Sequence, residues 1–157
     1  MEIIRLESSE NPVFKKVVEW NYNWWGKKNG KSKVEIEYIF RHSICKDRLP
    51  QTFVAIDDGE AVGMYQLSMT DDLFGRPDLY PWLINVYVDE KHRGKQICRA
   101  LMKTVAENAK AAGCTELYLY TSHMGLYEKF GWEFVEEVRT FNEESPIERL
   151  YKLVVTA

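Results

Sequence analysis

A single α/β domain with helices flanking a mixed sheet is the fold class that this sequence predicts, on three observations. "TFVAIDDGEAVGMYQLSM", residues 52–69, sets two β-rich runs either side of Asp57-Asp58-Gly59-Glu60, a turn-prone tetrapeptide, and so reads as a hairpin. "YPWLINVYV", residues 80–88, is a nearly unbroken apolar run of the kind found in a strand covered on both faces. A helical pattern from Gly94 to Ala112, followed by a strand at "TELYLYT", makes this run the start of a strand-helix-strand unit whose two strands lie parallel. With 157 residues, 45% of them hydrophobic and 13% aromatic, the chain can bury one substantial core and falls outside the disordered and fibrous classes.

The remaining elements follow in order. "EIIRLE" at the N-terminus has the apolar and β-branched content of a short strand. In "SSENP", Ser9 or Asn11 supplies a cap for a helix that Pro12 begins, and Val13, Val17 and Trp20 keep helical spacing until Gly26 and "KKNGK" break it. A second helix is expected over Val34 to Ile44, and the polar, proline-containing "TDDLFGRPDL" after the hairpin reads as a loop. In the strand-helix-strand unit, Ile97, Leu101, Val105, Ala109 and Ala112 form one apolar stripe and Gly113 terminates the helix. A short helix through "HMGLYEKF" and strands at Trp132 to Val138 and Glu148 to Val154 complete one domain spanning residues 1–157, with no internal repeat or linker.

Composition narrows the function classes. A net charge of −3 argues against nucleic acid as a bulk electrostatic partner, though a local basic patch is compatible with it. Cys45, Cys98 and Cys114 are odd in number and widely spaced, without a Cys-x-x-Cys pair, which points to reduced thiols in a cytosol and to no zinc or redox centre. The first residues lack secretory-signal patterning and no apolar run is long enough to span a bilayer, so a soluble cytoplasmic protein with no membrane partner is expected.

The turn "KHRGKQ", residues 91–96, joins the end of the buried strand to the start of the long helix. The first peptide N–H groups of a helix lack intrahelical partners and carry the positive end of its dipole, so an anion is stabilised there; Arg93, Lys95 and Arg99 add positive charge. A pyrophosphate suits such a turn. Equally, strand-to-helix turns with Arg and Gly are common and most bind nothing.

"VYVDEKHRGKQICRALM", followed about thirty residues later by "GLYEKFGWEF", resembles the GNAT superfamily of acyl-CoA-dependent N-acyltransferases, and the order of elements is similar over nearly the whole chain. The resemblance implies a GNAT-like fold, a mostly antiparallel central sheet with one splayed parallel strand pair, and acetyl-CoA as acyl donor with no metal. Arg93, Gly94, Lys95, Gln96, Ile97, Cys98 and Arg99 match the pattern Arg/Gln-x-x-Gly-x-Gly/Ala and its extension into the helix, whose amides hold the coenzyme pyrophosphate in that family. Here Gln96 replaces the inner glycine and Cys98 the final small residue. If Gln96 keeps ordinary helical dihedrals the amides survive intact; if the position needs a positive φ, the residue is strained and coenzyme binding suffers. Cys98 is either a thiol activated by the helix N-terminus or a small residue filling space.

By the same resemblance, Val86 and Val88, with Tyr87 between them, hold the pantetheine arm and the thioester carbonyl. Tyr127 matches the tyrosine that protonates the departing thiolate, and its alternative is a tyrosine packed against a helix. No acid lies in "YPWLINVYV" to serve as general base, and Asp71, Asp72, Glu37, His42 and His123 remain candidates by residue type. The implied function is transfer of the acetyl group of acetyl-CoA to a primary amine of a small molecule or protein by direct attack in a ternary complex. A homodimer is compatible with this reading. The alternative is a non-catalytic acyl-CoA-binding or sensing domain. Aromatics and acids in "WNYNWWGKK" and "DDLFGRPDLYPW" suit a cationic amine with an apolar portion, although cores use such aromatics as readily.

Overall fold

The computed structural model describes residues 1–141 and 143–155. Seven strands form one sheet: β1 (Glu2–Arg5), β2 (Gln51–Asp57), β3 (Glu60–Ser68), β4 (Trp82–Val88), β5 (Glu116–Thr121), β6 (Glu133–Val138) and β7 (Glu148–Val154). Their order is β1-β2-β3-β4-β5-β7-β6. The parallel pairing predicted for the strand-helix-strand unit is present, with Trp82 of β4 opposite Tyr118 of β5, while β1–β2, β5–β7 and β6–β7 are antiparallel. Among the described residues three α-helices accompany the sheet: α1 (Val13–Asn21), α2 (Lys33–Arg41) and α3 (Ile97–Ala111).

The chain divides into two compact units, Met1–Gln66 with Asn85–Leu101, and Leu67–Ile84 with the residues from Met102 onward. In the first unit α1 and α2 press Phe14, Val17, Ile36 and Phe40 onto Leu6, Val54 and Met64. Each such side chain contributes about 1.5–3 kcal/mol by leaving water, so this cluster is a sufficient reason for both helices to hold their places. Asn11 closes the start of α1 by accepting the Val13 N–H on Oδ1 at 3.1 Å. Ser32 and Glu35 form a reciprocal capping box on α2, which holds the Glu35 carboxyl below its ordinary range. The second unit is built on Leu73, Leu79, Trp82, Tyr118 and Leu150.

The hairpin turn has Asp58 at φ 48° and Gly59 at φ 78°, two consecutive left-handed residues of the kind that a tight antiparallel connection requires. Three sequence expectations need correction. Gly26 does not end the first helical segment: it is right-handed and buried, and the chain winds on through a π turn (Tyr22–Gly26) and a 3₁₀ turn (Lys27–Asn29) to Gly30, which is left-handed at φ 70°. A Cβ on Gly26 would sit 2.8 Å from Ile36 Cδ1, so this glycine serves close packing. The strand β4 is fully buried only at its start; Ile84 to Val88 are half-buried. Finally, α3 begins at Ile97 and not at Gly94, because Gly94 and Gln96 both have positive φ.

Candidate active site

The turn between β4 and α3 is assembled within the first unit. The Asp89 N–H donates to Val62 O at 3.0 Å, tying the end of β4 to β3, and a 3₁₀ turn (Glu90–His92) then leads to Arg93. Gly94 at φ 80° and Gln96 at φ 65° place left-handed residues on either side of Lys95. The Ala100 N–H bonds to Gln96 O, so the preceding amides at Ile97, Cys98 and Arg99 belong to the first turn and have no carbonyl below them in the helix. An exposed helix start usually carries an acidic side chain, but the first turn of α3 has none. Arg93, Gly94, Lys95, Gln96 and Arg99 are all exposed. The open positive end of a fifteen-residue helix therefore meets three cations and no competing carboxylate in its own first turn.

The alternatives left open by the sequence divide here. Gln96 is left-handed, so this position does need a positive φ. Its side chain is exposed, and the strain belongs to the backbone and not to a contact of the side chain. We therefore expect Gln96→Gly to raise the thermal midpoint by about 2–4 °C, the scale of about 1 kcal/mol in a chain of this length, and to change acetyl-CoA affinity less than threefold. Gln96→Ala keeps the steric cost and is expected to leave the midpoint unchanged. Calorimetric titration together with a melting curve reads both. If alanine tightened acetyl-CoA as much as glycine, side-chain crowding and not backbone strain would be responsible. Cys98 is half-buried, and burial pushes its thiol above its ordinary range, a shift in the direction of the space-filling reading and away from an activated thiolate.

Asn85 interrupts β4 with φ 50°. Beyond it come Val86, Tyr87 and Val88, the segment expected to hold the acyl end of the coenzyme. The Tyr87 ring is flanked by Trp20 at 5.4 Å and Trp24 at 5.2 Å between centroids. Arg93 donates from Nε to Val88 O at 3.1 Å and lays its guanidinium over Tyr87 at 5.8 Å, so turn and strand are clamped together. A Cβ on Gly63 would lie 3.0 Å from Tyr87 O, which is why β3 carries glycine where β4 passes.

The structure thus gathers Val86, Tyr87, Val88 and the turn from Arg93 to Arg99 in one unit. Tyr127 belongs to the second unit. It opens a 3₁₀ turn (Tyr127–Phe130) that ends at Gly131, left-handed at φ 87°. Its ring is buried against Trp132 at 6.2 Å and Tyr151 at 6.1 Å. Of the residues considered as general base, Glu37 is paired with Arg41 at 2.8 Å and His42 meets Tyr38 edge to face, 4.8 Å between centroids. Asp71, also in the second unit, differs: burial, with the charge of Asp72 adding to it, pushes its carboxyl up to about 7, against the opposing effect of the Asp72 N–H that it accepts. Tyr120 beside it is pushed well above the ordinary phenol range, by burial first and then by Asp71, Asp72 and Glu148. Among the described residues no group of three His, Cys, Asp or Glu side chains could hold a metal ion, and no helix is long and apolar enough to cross a membrane.

Residues 14–132 match the acetyltransferase (GNAT) family. A curated relative, N-acetyltransferase 8B of Homo sapiens, is 39% identical over 56 residues, which cover 32% of this chain and 25% of the relative; the chain therefore spans about a quarter of that protein. Two solved structures are similar over the full length of this chain. Aminoglycoside 6'-N-acetyltransferase from Enterococcus faecium has a TM-score of 0.73 at 18% identity with 98% of that chain covered. An aminoglycoside 6'-N-acetyltransferase complexed with coenzyme A has a TM-score of 0.74 at 16% identity, again with 98% covered. Those two likenesses concern the fold, while the match over most of the sequence settles membership: this chain belongs to the acetyltransferase (GNAT) family.

Proposed function

We propose that this chain transfers the acetyl group of acetyl-CoA to a primary amine of a small molecule or a protein by direct attack in a ternary complex. The observation that carries the reading is the turn from Arg93 to Arg99, an exposed helix start with two left-handed residues, three cations and no acid in the first helical turn. Its amides are suited to the coenzyme pyrophosphate, and the solved relative complexed with coenzyme A supports that ligand. On this reading the amides of Val86 and Val88 polarise the thioester carbonyl and stabilise the oxyanion as it forms. Asp71 takes a proton from the acceptor's ammonium and so frees the neutral amine to attack, since a carboxyl near 7 is divided between acid and base forms at neutral pH. Tyr127 protonates the departing thiolate. No metal enters the scheme. Three free cysteines support a reducing, cytoplasmic setting.

The test reverses the charge of the turn. Arg93→Glu is expected to weaken coenzyme A by about 10- to 100-fold, the range of one or two charge-assisted hydrogen bonds, and to weaken pantetheine lacking phosphate less than twofold. Titration calorimetry with both ligands separates the outcomes. Equal losses would mean that Arg93 acts through its bond to Val88 O and not on phosphate, and the turn would lose its assignment.

A further inference from the structure

Four residues far apart in sequence form a continuous buried polar relay in the first unit. Asn85 donates from Nδ2 to Gln66 Oε1 at 2.7 Å, Gln66 donates from Nε2 to Thr52 Oγ1 at 2.9 Å, and Thr52 donates from Oγ1 to Ser43 O at 2.8 Å. Gln66, Thr52 and Ser43 are buried; Thr52 has no exposed surface at all. The direction of the relay is forced from its far end. Ser43 presents a backbone carbonyl, which can only accept, so the single hydroxyl proton of Thr52 is used there. Thr52 must then accept from Gln66, the Gln66 amide can face it only with its NH₂, and its carbonyl is left aimed at position 85. A donor is therefore required at position 85, and asparagine supplies one. Asparagine is also the residue other than glycine that best tolerates the left-handed conformation found there, φ 50°.

We propose that Gln66 is a positioning residue for acyl transfer: by anchoring the Asn85 side chain it fixes the left-handed step in β4 that sets the direction of the Val86 and Val88 amides. The inference rests on the reading of those amides given under Proposed function. A left-handed residue within a strand rotates every peptide plane after it relative to those before. The two ends of the rotated segment are held separately, by the relay at Asn85 and by the Asp89 N–H to Val62 O bond, 3.0 Å, at the other end. Without the relay, Asn85 is free to return to the extended conformation that a strand favours, and the amides beyond it turn with it.

The experiment uses backbone amide resonances, so it needs no knowledge of the acceptor. In the parent protein, acetyl-CoA is expected to shift the amides of Gly94 to Ile97 and also those of Val86 and Val88. In Gln66→Leu, the turn should respond as before, the response at Val86 and Val88 should be lost, and affinity for acetyl-CoA should fall about tenfold relative to that for coenzyme A without its acetyl group, the scale of one hydrogen bond. Asn85→Gly adopts the left-handed step unaided. Combining it with Gln66→Leu should restore the Val86 and Val88 response while leaving any loss of thermal stability from the missing Gln66–Thr52 hydrogen bond in place. A purely structural role predicts the opposite division: lower stability with an intact Val86 and Val88 response. That result, or a failure of Asn85→Gly to restore the response, would overturn the inference. A parent turn that ignores acetyl-CoA would overturn the coenzyme reading itself, and this inference with it.

Discussion

Tyr127→Phe is expected to bind acetyl-CoA as the parent does and to turn over about 10²-fold more slowly. The substitution keeps the ring that packs on Trp132 and Tyr151 and removes the one proton that an expelled thiolate needs. A phenol is protonated across the neutral range, so the donor form is fully available where the amine is also able to attack. Binding is read by calorimetry and turnover by thiol release under saturating acetyl-CoA, with single-turnover mixing to establish that chemistry limits the rate. Burial of the ring makes a packing role the competing account, and the two diverge cleanly. A packing role predicts a melting temperature close to the parent's, since the ring is kept, together with unaltered turnover, and that pattern would remove Tyr127 from the mechanism.

The second large effect concerns Asp71. For the parent, kcat/KM is expected to climb through an apparent pKa of about 7 and to level off above it, as the buried carboxyl gives up its proton and becomes a base. Asp71→Asn should lower the plateau about 10²-fold and abolish that limb. A limb due to ionisation of the amine itself would survive in the variant, so the same acceptor must be used for both proteins. Asp72 on the same loop and Tyr120 on β5 interact with this carboxyl; Glu148 on β7, itself pushed up by burial against the opposing charge of His123, acts on Tyr120. Stability supplies an independent check. Between its ordinary 3.8 and about 7 the carboxyl is protonated in the folded chain and ionised in the unfolded one. The fold therefore loses stability as pH rises through that window and pays no further cost above it. The melting temperature of Asp71→Asn should match that of the parent near pH 4 and exceed it at pH 8. A variant that keeps the activity limb would clear Asp71 of a role as base even if the stability difference were found.

What was legible in the sequence was what local chemistry determines. Asp58-Gly59 announces its turn because two adjacent residues tolerate positive φ, and α3 announces itself through a stripe from Ile97 to Ala109 that the fold buries. The turn proposed to hold the pyrophosphate could be picked out because a helix start and its cations are neighbours along the chain. Gln96 was not legible as left-handed, since glutamine carries no local preference for that region; the strand and the helix on either side impose it. The same holds for the relay, whose members lie at positions 43, 52, 66 and 85 and meet only when β2, β3 and β4 are side by side. Asp71 was one acid among several until burial separated it from the exposed Asp72. Gly26 misled because a glycine within a helical pattern reads as a stop, while here it makes room for Ile36.

The π turn from Tyr22 to Gly26 carries a consequence for length variation in this part of the chain. Such a turn is an α-helix with one residue inserted, so deleting a single residue within it restores ordinary winding without disturbing the helix before it. The wide turn absorbs the extra residue, so the chain after it need not rotate; within the turn, where each residue advances the helix by about 100°, deleting Tyr22 or Asn23 moves Trp24 one position back, a swing of that order. Trp24, now 5.2 Å from the Tyr87 ring, would be carried off that ring, while Trp20, which precedes the insertion, would stay. Loss or gain of one codon here would thus re-aim a partly exposed tryptophan beside Tyr87, in the segment whose amides are proposed to bind the acyl group, and leave the core of α1 as it is. On the reading that sets the acceptor against the aromatics of residues 20–28, its preference is accessible to a one-residue change in length, a coarser and faster route than stepwise substitution.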